Sequence, residues 1–276
     1  MSLEFTETEM MVCATARLME DGKTYFIGFG MPQIAMVLAQ HLYAPNIAVV
    51  YEYGVIGPRI PTPFEPLILG DSNSNYKAAA WKDMNHVFFQ ASLGLIDYGM
   101  LGALQVDQYG NINSTAIGTY GEKMRRFGGP GGADSIAALC WRTILMTDQD
   151  RRKFIERVDF ISSPGFLDGS PGARERAGLP RGTGPWRVVT PWAVYDYNEE
   201  RRLRLIAVAP WVTVEQVVEE CEHKPVVAEK IATMDVPTDE ELDILRSQLD
   251  VAGQFSGARG AWIVWDGEKY ARQEQE

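Results

Sequence analysis

The sequence predicts a single α/β domain: a mostly parallel central sheet flanked by helices, with a hairpin and further helices toward the C-terminus. Three observations carry this expectation. Strand, helix and strand patterns follow one another from Thr24 to Tyr51, and that order implies a parallel pair joined by a right-handed crossover. The chain has 276 residues, 46% of them hydrophobic, enough to bury a sizeable core. No linker divides it, and it carries no internal repeat or low-complexity segment.

Thr6 followed by Glu9 reads as a capping box, opening a helix with Met10, Ala14 and Leu18 on one face and Gly22 as its stop. Thr24 to Ile27 is a short apolar strand, followed by the turn Gly28-Phe29-Gly30. Pro32 suits the first turn of a second helix running to about Leu42. Ile47 to Tyr51 is a buried strand, apolar until it delivers Glu52 at its C-terminal end. Val55 to Ser74, rich in Pro, Gly and Asn, reads as an irregular surface loop. A helix near Met84 to Leu93 and a strand within Gly99 to Val106 come next, and Gln105 to Asn113 contains a tight turn between two strands. Gly128 to Gly132 is a glycine-rich loop before a short helix from Asp134 and a strand at Thr143 to Met146. Val158 to Thr190 mixes short strands with a loop. Ala193 to Tyr197 and Leu203 to Ala209 form a hairpin, and two late helices follow, the second opened by a Thr238–Glu241 capping box. Trp262 to Trp265 is a last strand. Residues 1–250 read as the main domain and 251–276 as an extension without assigned role.

Several function classes are disfavoured. The net charge of -11 repels phosphate backbones, so nucleic acid is not an expected partner. No apolar run is long enough to span a membrane, and the opening MSLEFTETEM lacks the character of a secretory leader. The three cysteines, Cys13, Cys140 and Cys221, make neither a disulfide framework nor a zinc pattern and suit a reducing cytoplasm. His41, His86 and His223 have no ligand spacing, so no metal is expected.

Gly28-Phe29-Gly30 after a strand, with an acidic residue ending the next strand, imitates a dinucleotide fingerprint. The third glycine, however, would fall at Gln33. Glu52 is a better candidate: a carboxylate closing an apolar strand, where open α/β sheets keep their ligands, beside Gly54, whose bare backbone admits a close substrate. A solvated carboxylate at a strand end fits the same pattern. GGPGGAD at 128–134 offers unblocked N–H groups for a phosphate or an oxyanion, or is simply a flexible turn. Lys123, Arg125 and Arg126 precede it, as anion ligands or as a solvated patch. Asp107, Gly110 and Asn111 read mainly as a structural turn.

Taken in order, these segments resemble the β subunits of glutaconate CoA-transferase and its class I relatives. The similarity rests on Gly28-Phe29-Gly30-Met31-Pro32, LYAPNIAVVYEYG with Glu52 and Gly54, QVDQYGNINST, GGPGGAD, and SSPGFLDG with GARERAGLP, and runs from the first helix to about Asp250. It implies a CoA-transferase-like fold and a subunit that moves CoA from an acyl-CoA to a carboxylic acid, with Glu52 as the nucleophile that becomes a glutamyl-CoA thioester. By the same resemblance, Gly131 and Gly132 line the thioester with N–H groups for the oxyanion, and Gly28 and Gly30 belong to the turn near the cleft. Lys123, Arg125 and Arg126 are candidates for CoA phosphates. No permanently bound cofactor is implied, the coenzyme A thioester being a substrate. The implied partner is an α-type subunit in a cytoplasmic hetero-oligomer, α2β2 or larger. Tyr53 stands where the family more often has a small residue, which implies a narrower or flatter acyl pocket. Relatives that act as hydrolases or decarboxylases lack the β-chain glutamate. The alternatives are an acyl-CoA hydrolase or C–C-bond-cleaving subunit of the same fold, and a non-catalytic scaffold.

Overall fold

The computed structural model describes residues 4–64, 70–119, 121–253 and 261–273. Ten strands form one sheet, in the order Val226–Thr233, Leu203–Val208, Ala193–Tyr197, Gly184–Val189, Arg142–Met146, Tyr98–Gly102, Thr24–Ile27, Ala48–Val50, Val55–Ile56 and Ala80–Trp81. Its five middle strands, Gly184–Val189 through Ala48–Val50, all run parallel. This is the expected α/β core.

The faces are sorted by period-2 alternation. Tyr25, Val49 and Tyr51 enter a core shared with helices Glu7–Arg17 and Met31–Leu42. Phe26 and Val50 point the other way, into a core shared with helices Met84–Ser92 and Ala133–Leu139. Both expected capping boxes are present. Glu9 N–H donates to Thr6 Oγ1 at 3.1 Å while Thr6 N–H donates to Glu9 Oε2 at 2.8 Å. The Thr238–Glu241 box opens helix Asp239–Ile244, and its buried Glu241 also pairs with Arg17 from the first helix.

Three parts of the sheet differ from the expectation. The hairpin Ala193–Tyr197/Leu203–Val208 is no appendage: it joins the central sheet antiparallel to Gly184–Val189. Val226–Thr233 adds parallel beyond it as an edge strand. Its Glu229 and Lys230 obscure the strand pattern, as charges on a sheet edge do. At the opposite edge the chain does not become irregular at Val55. Two β-branched residues, Val55 and Ile56, turn back antiparallel to Ala48–Val50 and accept Ala80–Trp81 as the next strand. Residues 65–69 of that expected loop lie outside the described ones. Trp262–Trp265 is a strand as expected, paired with Glu4–Thr6 and Tyr270–Gln273, so the last described residues return to the first.

Candidate active site

Glu52 sits in a tight turn at the carboxyl edge of the parallel strands. Gly54 N–H donates to the Tyr51 carbonyl at 3.0 Å and Tyr51 N–H to the Val55 carbonyl at 2.9 Å, which closes the turn. Gly54 has φ +107°, and a Cβ there would overlap the Lys82 carbonyl. The space expected for a substrate on that side is thus filled by the chain itself. Glycine is needed because two backbone segments meet.

Alternation continues through the turn. Tyr51 is buried, its hydroxyl accepts from Gln33 Nε2 at 3.2 Å, and Tyr53 stacks on its ring at 5.4 Å. Both rings pack with the core of the first two helices. Tyr53 therefore does not narrow the space around Glu52, contrary to the expectation from its position. Burial pushes the Tyr53 hydroxyl up to about 12. Glu52 points to the other side. Its Oε2 accepts the Gly132 N–H at 3.1 Å, leaving the half-buried carboxylate one oxygen outside that bond.

Gly132 caps helix Ala133–Leu139 and lies so close to Glu52 and Phe88 that a Cβ would meet both side chains. Phe88 in turn stacks on Phe26 at 5.2 Å, so the floor of the site rests on the sheet. Gly131, with φ +55°, faces open space. The glycine loop is tied down from behind, with Gly129 N–H on the Ser114 carbonyl at 3.1 Å and Phe127 N–H on the Thr115 carbonyl at 2.9 Å. Gly28 follows Thr24–Ile27 with Met100 O 3.0 Å from where its Cβ would be, and Gly30 takes φ +83° at the start of helix Met31–Leu42. Gln33 is the residue that sequence reasoning undervalues. It breaks the dinucleotide fingerprint, yet its Oε1 accepts the Gly30 N–H at 3.1 Å while its Nε2 reaches Tyr51 beside Glu52.

The coenzyme A transferase family matches residues 8–220. The chain belongs to the coenzyme A transferase family. It is 32% identical over 258 residues to the β-type subunit of glutaconate CoA-transferase from Acidaminococcus fermentans, spanning 91% of this chain and 95% of that one. It is 34% identical over 245 residues to the β-type subunit of 3-oxoadipate CoA-transferase from Pseudomonas knackmussii, spanning 88% and 93%. The crystal structure of the Acidaminococcus fermentans glutaconate coenzyme A-transferase superposes with a TM-score of 0.83 at 29% identity, over 91% of this chain and 97% of that one. The chain is therefore the β-type subunit of a class I CoA-transferase. The decarboxylase AibA/AibB shares the fold, with a TM-score of 0.76 at 23% identity over 92% of this chain.

Other parts of this CoA-transferase subunit sort by geometry. Lys123, Arg125 and Arg126 belong to an exposed hairpin, Ala116–Gly118 with Met124–Arg126, that leads into the glycine loop. Arg125 stacks on Phe127 at 5.0 Å, and among the described residues no ion pair or hydrogen bond joins the three to Glu52. Asp107 and Asn111 form a buried knot. Asp107 Oδ1 accepts the N–H groups of Tyr109 and Asn111 at 2.9 and 3.0 Å, and Asn111 Oδ1 those of Gly165 and Leu167 at 2.9 and 3.1 Å. Burial raises the Asp107 pKa against those bonds. A cavity of about 1020 Å³ opens beside this knot, but Glu52 does not line it. Arg174, inconspicuous within GARERAGLP, is buried and donates to the Ala137 and Ala138 carbonyls, both at 3.1 Å, at the end of the helix that begins at Gly132. Among the described residues no helix is long and apolar enough to cross a membrane, and no group of three His, Cys, Asp or Glu could hold a metal ion.

Proposed function

We propose that this subunit moves CoA from an acyl-CoA to a carboxylic acid through a glutamyl-CoA thioester on Glu52. The observation that carries the reading is a carboxylate at the open edge of the parallel sheet, aimed by one N–H bond from Gly132 to Oε2. The bond orients the group and leaves Oε1 to attack. Oε1 adds to the thioester carbonyl and expels CoA thiolate, giving a mixed anhydride. The thiolate attacks the Glu52 carbonyl, forming the glutamyl-CoA thioester and releasing the first acid as its carboxylate. The acceptor carboxylate attacks that thioester and again frees thiolate. Attack of the thiolate on the acceptor's acyl carbon gives the new acyl-CoA and restores Glu52. As the tetrahedral oxyanions form, the Gly131 and Gly132 N–H groups are the donors at hand.

Gly28, Gly30 and Gly54 shape the turns around this cleft, and Lys123, Arg125 and Arg126 supply positive charge for the CoA phosphates on a chain of net charge -11. The coenzyme is a substrate, and no resident cofactor enters the scheme. An α-type subunit completes the cleft in a hetero-oligomer. Both CoA-transferase relatives are named as one subunit of a larger enzyme, which supports that partner. Their names also point to a dicarboxylate-derived acyl group, as glutaconate and 3-oxoadipate are.

The test uses the complex with its α-type partner and acyl-CoA donors of those two kinds, without acceptor. Mass spectrometry should find a CoA-sized addition on the peptide containing Glu52, and borohydride should convert the thioester to an alcohol. Glu52→Ala should lose both adduct and transfer. Absence of an adduct with a competent donor, together with thioester hydrolysis by Glu52→Ala, would overturn the transferase reading in favour of a hydrolase.

A further inference from the structure

A second site lies at the opposite, amino-terminal edge of the parallel strands, where Arg142 and Gly184 begin theirs. A cavity of about 250 Å³ opens there, lined by Arg142, Arg174 and Arg201 and by Trp141, Phe166 and Trp186, with Glu175 as the one carboxylate in its wall among the described residues. Three guanidinium groups against one carboxylate reverse the balance of a chain with 37 acidic and 26 basic residues. Two of these arginines, and Arg187 beside them, are held over aromatic faces. Arg142 and Arg187 lie over Trp186, at 5.4 and 4.3 Å from its ring centre, and Arg201 lies over Phe166 at 5.7 Å.

Arg174 is the deepest of them, only 3% exposed. Its Nη atoms are fully engaged with backbone carbonyls and Thr183, without a carboxylate among their acceptors. Among the described residues its Nε–H has no acceptor, and the atom is closed off from solvent. A buried guanidinium with an idle donor is costly to keep without a counter-ion. Arg142 has an ion pair, but with Glu20, at 3.7 Å and half in solvent. Arg201 donates to the Ser170 carbonyl at 2.9 Å.

We propose that this cavity binds a small aromatic or unsaturated carboxylate, separately from the Glu52 cleft. The carboxylate would meet the charges of Arg142 and Arg201, with the buried Arg174 adding its positive charge from behind them. Its flat body would lie against Trp186 and Phe166, where an aliphatic or fully hydrated anion gains little. The volume suits a molecule of about benzoate size. The inference stands on this cavity alone and does not need Glu52 to be the nucleophile.

Trp141 and Trp186 make the site self-reporting. Benzoate added to the full chain should change tryptophan fluorescence saturably, with heat release in calorimetry at the same midpoint. Arg142→Ala and Arg201→Ala remove partly exposed side chains and should leave the melting temperature near that of the parent. Each should weaken benzoate binding at least tenfold, and Glu52→Ala should leave it unchanged. Inorganic phosphate at equal concentration should not displace benzoate. The proposal is overturned if benzoate gives no saturable signal, or if both arginine variants bind it as the parent does. It is equally overturned if phosphate competes on equal terms, since the aromatic walls would then contribute nothing.

Discussion

Replacing Gly132 by alanine probes the candidate site with the least disturbance of the fold. The residue has φ -84°, which any L-amino acid adopts, so the backbone needs no change. The added Cβ, however, would lie 2.6 Å from Phe88 Cζ and closer still to Glu52 Oε2. Both are the ends of side chains, which can yield. Phe88 is stacked on Phe26, so the carboxylate is the freer of the two and should swing away from the N–H that holds it. Overpacking of this kind typically costs about 1–3 kcal/mol of stability, and the low end applies where a side-chain end can yield. A displacement near 1 Å in a positioned reaction costs about a hundredfold, or about 2.7 kcal/mol of activation free energy. Turnover of the α/β complex should therefore fall about a hundredfold while the melting temperature drops by only a few degrees. Gly128→Ala, in the same loop but outside the N–H pair assigned to the oxyanion, is the control. Its Cβ meets open space and does not touch Glu52. The reasoning is refuted if Gly132→Ala turns over within threefold of the parent at matched stability, or if the two variants lose activity equally.

Two further outcomes follow from the same structure. Gly54→Ala forces a side chain at φ +107° into the Lys82 backbone, which cannot yield locally, so it should destabilise by about 3 kcal/mol or more in denaturant melts; an unchanged midpoint would show that the turn is not clamped as described. His223 has its pKa lowered to about 4 by burial, with Nδ1 3.0 Å from the Ile155 carbonyl. The unfolded chain takes up that proton first, near 6.5, so the stability it represents is complete above about pH 6.5 and is lost as pH falls toward 4. A depression of this size corresponds to about 3 kcal/mol, and His223→Leu should flatten the difference in denaturation midpoint between pH 7 and 4.5; parallel curves for parent and variant would contradict it.

Local signals announce much of the fold. Thr6 with Glu9 and Thr238 with Glu241 start helices because two side chains satisfy two orphan N–H groups within one turn, and no distant residue is needed. Thr24 to Ile27 and Trp262 to Trp265 are strands because short apolar runs have nowhere else to go. What depends on distant pairing is hidden. Val55 and Ile56 pair with Ala48–Val50 only because Gly54 permits the reversal, and Val226–Thr233 is a strand only because Leu203–Val208 offers it an edge. Glu52 is visible as a charge ending an apolar run. Its neighbours are not: Gly132 is 80 residues away along the chain, and Gln33 reads as a break in a fingerprint it does not serve. Arg174 is invisible for the same reason, since its partners Ala137, Pro164 and Thr183 come from three separate segments.

The turn that carries Glu52 separates holding from reacting. Tyr51 and Tyr53 stack and pack into the core behind the sheet, Gln33 fastens Tyr51, and Lys82 N–H donates to the Gly54 carbonyl at 2.9 Å, so the backbone is held from three sides. Glu52 takes no part in this. Its side chain leaves toward the other face, where one hydrogen bond from Gly132 is the only one it makes among the described residues. A turn is ordinarily a poor place for a positioned group, because loops wander. Here the two flanking aromatics supply the rigidity and leave the carboxylate free of structural duty. Substitution of Glu52 therefore costs the fold little, about one exposed-side hydrogen bond, and what a Glu52 variant loses is chemistry.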